Sequence, residues 1–286
     1  MIINNDTILM GVIGNPIGHT LSPLMHNRAI ERLGLNYVYL PFEVAPERLG
    51  DAVAAVRALN LRGINVTVPF KEAVIPYLDD ISAEARACGA VNLIKNEHGR
   101  LTGYNTDGKG FRASLVDEGV SYIKRALFIG AGGAARSLAY ELAISGVNRM
   151  DFLDIYLDKA QDIARFVGQF HNCVATGHGM SEELFSDLSQ EADLIINCTP
   201  MGMFPHVESV PVSSLHKVSH NTVVYDLVYN PFTTRFIAMA RARHLKTING
   251  LSMLVHQGAL ALEILTGAKP PIGFMKEVVL NYYKKQ

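Results

Sequence analysis

Ala126 to Ile129 form a short apolar run that passes straight into Gly130-Ala131-Gly132-Gly133-Ala134-Ala135, and no other stretch limits the fold as tightly. Four apolar residues ahead of a glycine cluster read as a buried strand. The run beyond, stopped by Gly146, reads as a helix to about Ser145. Gly130 permits a tight turn, Gly132 lets backbone approach a ligand closely, and Ala135 lets helix and strand pack together. Such a loop lays unpaired amides over a phosphate group. Gly130, Ala131, Gly132, Gly133 and Ala134 are therefore candidate contacts for the pyrophosphate of a dinucleotide.

The surrounding sequence has the alternation that this unit requires. Strands are expected at Met150 to Asp154, Leu194 to Cys198, Thr222 to Leu227 and Thr247 to Ile248, with helices between them. This predicts a doubly wound, Rossmann-type dinucleotide-binding domain over residues 107–249. Before it, Thr7 to Ile13, Tyr37 to Phe42 and Ile64 to Val68 read as strands, and Val91 to Lys95 with Leu101 to Tyr104 as a hairpin. A helix opens at Ser22-Pro23, with Ser22 as its cap, and a second runs from Pro46 to Leu59. These elements form a separate α/β substrate-binding domain over residues 1–106. After Gly250, helices from about Ser252 to Leu265 and from Phe274 to Tyr283 are expected to return to that first domain, leaving a cleft between the halves. The fold class is α/β, with two domains.

Composition closes off other classes. Lys plus Arg number 26 and Asp plus Glu 27, a net charge of -1, so the chain offers no bulk attraction to nucleic acid or an anionic membrane. The three cysteines, Cys88, Cys173 and Cys198, are widely spaced and read as reduced thiols. Met1 to Asp6 does not resemble a signal peptide, and no apolar run approaches a bilayer's thickness. A cytoplasmic protein with a small-molecule substrate is expected, as a monomer or homodimer. The ten histidines show no metal-binding spacing, so no metal is expected.

Asp154 lies 24 residues after Gly130, where an acid bonds the adenosine ribose hydroxyls and repels a 2′-phosphate. NAD rather than NADP is the expected cofactor. Asn65-Val66-Thr67-Val68-Pro69-Phe70-Lys71 delivers a lysine just past a strand end, and Asn105-Thr106-Asp107 falls at the domain junction. Each charge alone would be unremarkable surface. Together they make a proton-transfer pair, with the carboxylate orienting the ammonium.

At this point the chain resembles the shikimate dehydrogenase family, including its quinate/shikimate branch. The blocks that carry the resemblance are Gly14-Asn15-Pro16-Ile17, His19-Thr20-Leu21-Ser22-Pro23, Asn65 to Lys71, Gly89-Ala90-Val91-Asn92 and Gly103 to Gly108. The glycine loop, Asn197 to Gly202, Tyr225 to Tyr229 and Asn249 to Gln257 complete them. The resemblance implies that Lys71 and Asp107 are the catalytic pair and that Thr20 and Ser22 hold the substrate carboxylate. It places Thr67, Asn92, Tyr229 and Gln257 around the ring hydroxyls. It adds Asn197, Thr199, Met201, Leu227 and Gly250 to the cofactor site.

Three departures shape the expected specificity. NADP-using members carry Asn-Arg-Thr where this chain has Asp154-Ile155-Tyr156, so the phosphate-gripping cation is missing and only Lys159 remains downstream. Leu93 stands where the family usually has Thr, removing a hydroxyl expected near the ring. Thr20 replaces Ser. With the metabolic expectation that NAD suits the oxidative direction, oxidation of shikimate with NAD is expected, with quinate as a second or even preferred substrate; an aminated shikimate analogue stays open. The alternatives are an NADP-dependent biosynthetic enzyme and a non-catalytic NAD-binding protein.

Overall fold

The computed structural model describes residues 3–170 and 173–284. It contains two compact units, one of residues up to Gly110 together with those from Val255 onward, the other Phe111–Leu254.

In chain order the first unit contains β1 (Ile8–Gly14), α1 (Ser22–Arg32), β2 (Tyr37–Glu43), α2 (Leu49–Ala58), β3 (Gly63–Val66), β4 (Asp80–Ile81), α3 (Ala83–Cys88), β5 (Leu93–Glu97) and β6 (Arg100–Tyr104). It also holds the start of α4 (Asp107–Asp117). The second unit contains β7 (Arg125–Ile129), α5 (Gly133–Ile144), β8 (Arg149–Asp154), α6 (Leu157–Val167), β9 (Val174–Gly179), α7 (Glu182–Leu188), β10 (Leu194–Asn197), β11 (Val223–Asp226), α8 (Arg235–Ala242) and β12 (Lys246–Asn249). Next, α9 (Gly250–Thr266) carries the chain back, and α10 (Ile272–Tyr283) packs on α1.

The first unit's sheet has the order β2-β1-β3-β5-β6-β4. β1 pairs in parallel with β2 and β3, whereas β5 is antiparallel to β3 and β6 to β5. One edge of this sheet therefore collects the ends of β1, β3 and β6 and the start of β5. Residues 15–22, 67–71, 92 and 105–107 all leave the sheet there. Beneath, Leu49, Val53 and Val56 of α2 pack with Ile13, Ile64, Val66, Val91 and Ile94 in one apolar core.

The second unit's sheet is wholly parallel, ordered β12-β11-β10-β7-β8-β9. Its strand order reverses between β7 and β10, the place where open α/β sheets bind ligands beyond their carboxyl ends. Phe128 and Phe152 anchor the core on one face, Leu127, Ile195 and Val224 that on the other.

Local details depart from the sequence reading. The helix expected from Pro46 is a short 3-10 turn over Pro46–Arg48 before α2 begins. Ser22 is not a cap: Leu21 holds that position without a side-chain capping bond, and Ser22 is the first residue of the helix. α9 starts at Gly250 itself. β4, α3 and β9 had no counterpart in the sequence reading. β9 is a half-exposed edge strand without apolar alternation. Its Gly177 would place a Cβ 2.2 Å from the Ala160 backbone, so the glycine is what lets α6 lie on the strand. Among the described residues no helix is long and apolar enough to cross a membrane.

Candidate active site

Lys71 and Asp107 meet at the collecting edge of the first sheet. Lys71 Nζ donates to Asp107 Oδ2 at 2.7 Å, with side-chain exposures of 24% and 7%. Lys71 follows β3 through Thr67-Val68-Pro69-Phe70, and its carbonyl accepts the Val91 amide at 2.7 Å. Asp107 opens α4, and its own amide is held by Asn105 Oδ1 at 3.0 Å. A lone carboxylate so deeply buried would be costly; the lysine and the donors around it compensate.

Asn92, one residue ahead of β5, supplies the second donor. Its Nδ2 reaches Asp107 Oδ1 at 2.8 Å, Thr106 Oγ1 at 2.9 Å and Gln257 Oε1 at 3.4 Å. Its Oδ1 accepts the Thr106 amide at 2.8 Å. Behind this cluster Asn65 Nδ2 donates to the Asn92 carbonyl, and the buried Tyr39 hydroxyl donates to Asn65 Oδ1 at 2.8 Å. Tyr39 in turn stacks on His26, with ring centroids 4.2 Å apart. Burial lowers the His26 imidazole to about 3, so this ring is neutral and contributes no charge to the site.

Of the expected substrate residues, the structure brings together Lys71, Asp107, Asn92 and Gln257. Thr20, Ser22 and Thr67 leave the same sheet edge. Thr20 Oγ1 accepts the Ser22 amide at 3.3 Å, and Thr67 lies against Gly14, whose Cβ would sit 2.5 Å from Thr67 Cγ2. Tyr229 belongs to the second unit and lies just beyond β11; burial raises its phenol pKa. Leu93 corrects an expectation. It is fully buried, opposite Asn65 and Tyr104 in the sheet, so a threonine hydroxyl there would need a partner inside the core.

The glycine loop has the shape that a dinucleotide needs. Gly130 has φ +95°, and a Cβ there would stand 2.8 Å from Thr199 Cγ2. Gly132, the cap of α5, would place a Cβ within 4 Å of nothing. Packing thus explains Gly130 but not Gly132, whose bare backbone faces open space at the start of a twelve-residue helix. That is where a pyrophosphate fits.

Asp154 has a task the sequence did not reveal. Its Oδ2 accepts the Ala131 amide at 2.7 Å and its Oδ1 the Tyr156 amide at 2.9 Å, so it braces the glycine loop from the neighbouring strand. Each oxygen retains acceptor capacity for a ribose hydroxyl. Beyond it Ile155 is 77% exposed. Lys159 Nζ lies 4.8 Å from the centre of the Tyr156 ring.

Asn197 is also more of a scaffold than expected. Its Oδ1 accepts the Thr199 amide and hydroxyl, and its Nδ2 donates to Asp226 Oδ1 at 2.9 Å and to the Met201 carbonyl. Asp226 has no exposure, and burial raises its pKa, opposed by bonds from Thr234, Val228 and Asn197. At Gly250 a Cβ would lie 1.9 Å from the Leu227 carbonyl, so only glycine lets α9 begin against that strand end. Sequence reading passed over Tyr39, Asn65 and Thr106 as site residues. The only signal for the last two was their place inside the strings that carry Lys71 and Asp107.

Comparison with known proteins agrees across both units. Residues 12–94 match the shikimate dehydrogenase substrate binding domain, and residues 250–280 the shikimate 5'-dehydrogenase C-terminal domain. A curated relative, the shikimate dehydrogenase (NADP(+)) of Syntrophomonas wolfei, is 49% identical over 286 residues, covering 100% of this chain and 99% of the relative. A crystal structure of a shikimate dehydrogenase in complex with NADP+ superposes with TM-score 0.92 at 40% identity, covering 99% of this chain and 98% of that one. Shikimate 5-dehydrogenase from Listeria monocytogenes, in complex with shikimate and NAD, gives TM-score 0.91 at 36% identity, covering 97% and 98%.

Proposed function

The chain belongs to the shikimate dehydrogenase family, and from that premise we propose that Lys71 and Asp107 are its proton-transfer pair in the interconversion of shikimate and 3-dehydroshikimate. It is an NAD(P)-dependent oxidoreductase acting on a CH–OH group. The observation that carries the assignment of roles is the 2.7 Å contact between Lys71 Nζ and Asp107 Oδ2, whose other oxygen is held by the neutral amide of Asn92.

When bound, the nicotinamide dinucleotide takes up or supplies the hydride at the carbon that bears the reacting hydroxyl. In the reductive direction the positive charge of Lys71 Nζ stabilises the oxygen as negative charge develops on it, and Nζ then gives it a proton and becomes a neutral amine. In oxidation Nζ takes the hydroxyl proton. Asp107 Oδ2 fixes where Nζ points, and Asn92 Nδ2 fixes Asp107 through the other oxygen. Thr20 and Ser22 hold the substrate carboxylate, while Thr67, Asn92, Gln257 and Tyr229 satisfy the ring hydroxyls, which need partners once desolvated. Gly130 to Ala134 receive the pyrophosphate, with Thr199, Met201, Leu227 and Gly250 framing the rest of the cofactor.

NAD is the preferred cofactor in this reading, although the Syntrophomonas wolfei relative is named for NADP(+). The supporting observations are Asp154 beside the loop, the exposed Ile155 and the engagement of Lys159 with the Tyr156 ring. Quinate, with one more hydroxyl on a saturated ring, is a second substrate.

Initial rates with shikimate and quinate, each with NAD and NADP, test this. NAD is expected to win on kcat/KM with shikimate. Ile155→Arg is expected to raise kcat/KM for NADP by roughly ten- to a hundredfold, the value of about 1.5–3 kcal/mol for a hydrogen bond to a charged group. A wild-type preference for NADP, or an Ile155→Arg variant without gain, would overturn the cofactor assignment.

A further inference from the structure

Thr106 occupies the capping position of α4, since its carbonyl accepts the first helical bond, from the Gly110 amide at 2.9 Å. A threonine there ordinarily turns its hydroxyl to an amide of the helix's own first turn. This one turns away. Thr106 is 2% exposed, and its hydroxyl lies 2.9 Å from Asn92 Nδ2, 3.1 Å from the Gln257 main-chain carbonyl and 3.3 Å from Asn92 Oδ1.

Counting protons fixes the direction of these bonds. Asn92 Oδ1 accepts the Thr106 amide, which settles which end of the carboxamide carries nitrogen. The two Nδ2 protons then go to the two nearest acceptors, Asp107 Oδ1 at 2.8 Å and Thr106 Oγ1 at 2.9 Å. With its oxygen accepting there, the hydroxyl directs its single proton to the Gln257 carbonyl. Gly110 seats the same helix turn on α9, because a Cβ there would lie 2.6 Å from Gln257 N. One hydroxyl thus joins the amide that holds Asp107 to the helix that carries Gln257.

We propose that Thr106 is a positioning residue for the reaction. Through Asn92 it holds the Asp107 carboxylate toward Lys71, and through the Gln257 carbonyl it keeps the Gln257 side chain in register with the same pair. This rests on the assignment of Lys71 and Asp107 as the proton-transfer pair. A purely architectural cap would be served by any residue that keeps the helix; a positioning hydroxyl would not.

The test compares Thr106→Val, which keeps the shape and removes the hydroxyl, with Thr106→Ser, which keeps the hydroxyl. In Thr106→Val, kcat with shikimate is expected to fall at least roughly tenfold, the effect of an unmade buried hydrogen bond. Its solvent deuterium isotope effect on kcat is expected to rise, because proton transfer becomes slower. The KM for the dinucleotide stays within about twofold, since the glycine loop is untouched. The dissociation constant for shikimate, measured by calorimetry without dinucleotide, rises as Gln257 loses its register. Thr106→Ser is expected to restore all of these. If Thr106→Val does not fold, Thr106→Cys, with a similar volume and a weak donor, is read in the same assays with the same expectations. A hydroxyl-free variant with wild-type kcat and isotope effect overturns the proposal, and so does a Ser variant as impaired as Val. Wild-type protein that turns over no shikimate would overturn the functional assignment, and the proposal with it. An active wild type beside an unaffected Val variant overturns the role of Thr106 alone.

Discussion

The Lys71–Asp107 corner of the first unit and the glycine loop of the second achieve opposite things with the same chain. Around Lys71 the site is built from side chains that hold one another: Asp107 by Lys71 and Asn92, Asn92 by Thr106, Asn65 by Tyr39. Around Gly132 side chains are left out, and in the proposed function the backbone is what meets the ligand. The first region is therefore damaged by subtraction and the second by addition. The first spends hydrogen bonds on fixing orientation; the second depends on a turn at φ +95° that almost any Cβ would strain.

Subtraction should have the largest effect. Lys71→Ala removes the group proposed to move the proton, and a loss of about 10²–10⁴-fold in kcat is expected, the usual share of a positioned acid or base. Dinucleotide affinity, measured by fluorescence titration, should stay near wild type, because Lys71 and the glycine loop belong to different units. Turnover close to wild type would remove Lys71 from the mechanism. Lost dinucleotide binding would break the separation of the two regions.

Addition comes next and can be split into two kinds. Gly130→Ala forces a Cβ onto a positive φ and against Thr199, so a destabilisation of about 1–3 kcal/mol is expected in denaturant unfolding. Gly132→Ala meets no protein atom and should leave unfolding within about 0.5 kcal/mol. Its cost should appear in the dinucleotide dissociation constant, by roughly tenfold or about 1.4 kcal/mol. If the two variants behave alike, the distinction between a glycine required by packing and one required by a ligand fails.

These regions also differed in how well the sequence disclosed them. Backbone sites leave a local trace: Gly130, Gly132 and Ala135 sit a few residues apart, between a strand and a helix, so the loop and the parallel-sheet fold class around it were legible. Lys71 and Asp107 were legible as charges in apolar strings, but nothing local announced that Asn92 would clamp Asp107 or that Thr106 would reach Gln257. Those bonds join residues 15 and 151 positions apart and exist only once the sheet edge has gathered its loops. Asp154 was found for one role and proved to have another, because the amide it braces lies on a different strand–loop segment. β9 left no periodic signal: its pattern is half-exposed throughout, and Gly177 serves contact with α6 rather than an apolar face.

Ser22 gives the smallest expected effect and the finest discrimination. Read from sequence it serves both helix and substrate, and its replacement would then cost about 1 kcal/mol in stability through the lost cap. In the structure Leu21 stands at the cap position, the Ser22 side chain makes no capping bond, and Pro23 within the first turn needs no amide partner. Ser22→Ala should therefore leave the unfolding midpoint essentially unchanged, while the KM for shikimate rises roughly fivefold, the equivalent of about 1 kcal/mol for one hydrogen bond to the carboxylate. The effect stays modest because Thr20 remains to share the same group. A stability loss with unchanged KM would return Ser22 to the role of a cap and leave the carboxylate to other residues. A rise in KM at constant stability would show that subtraction in the first unit can be felt by the substrate without being felt by the fold.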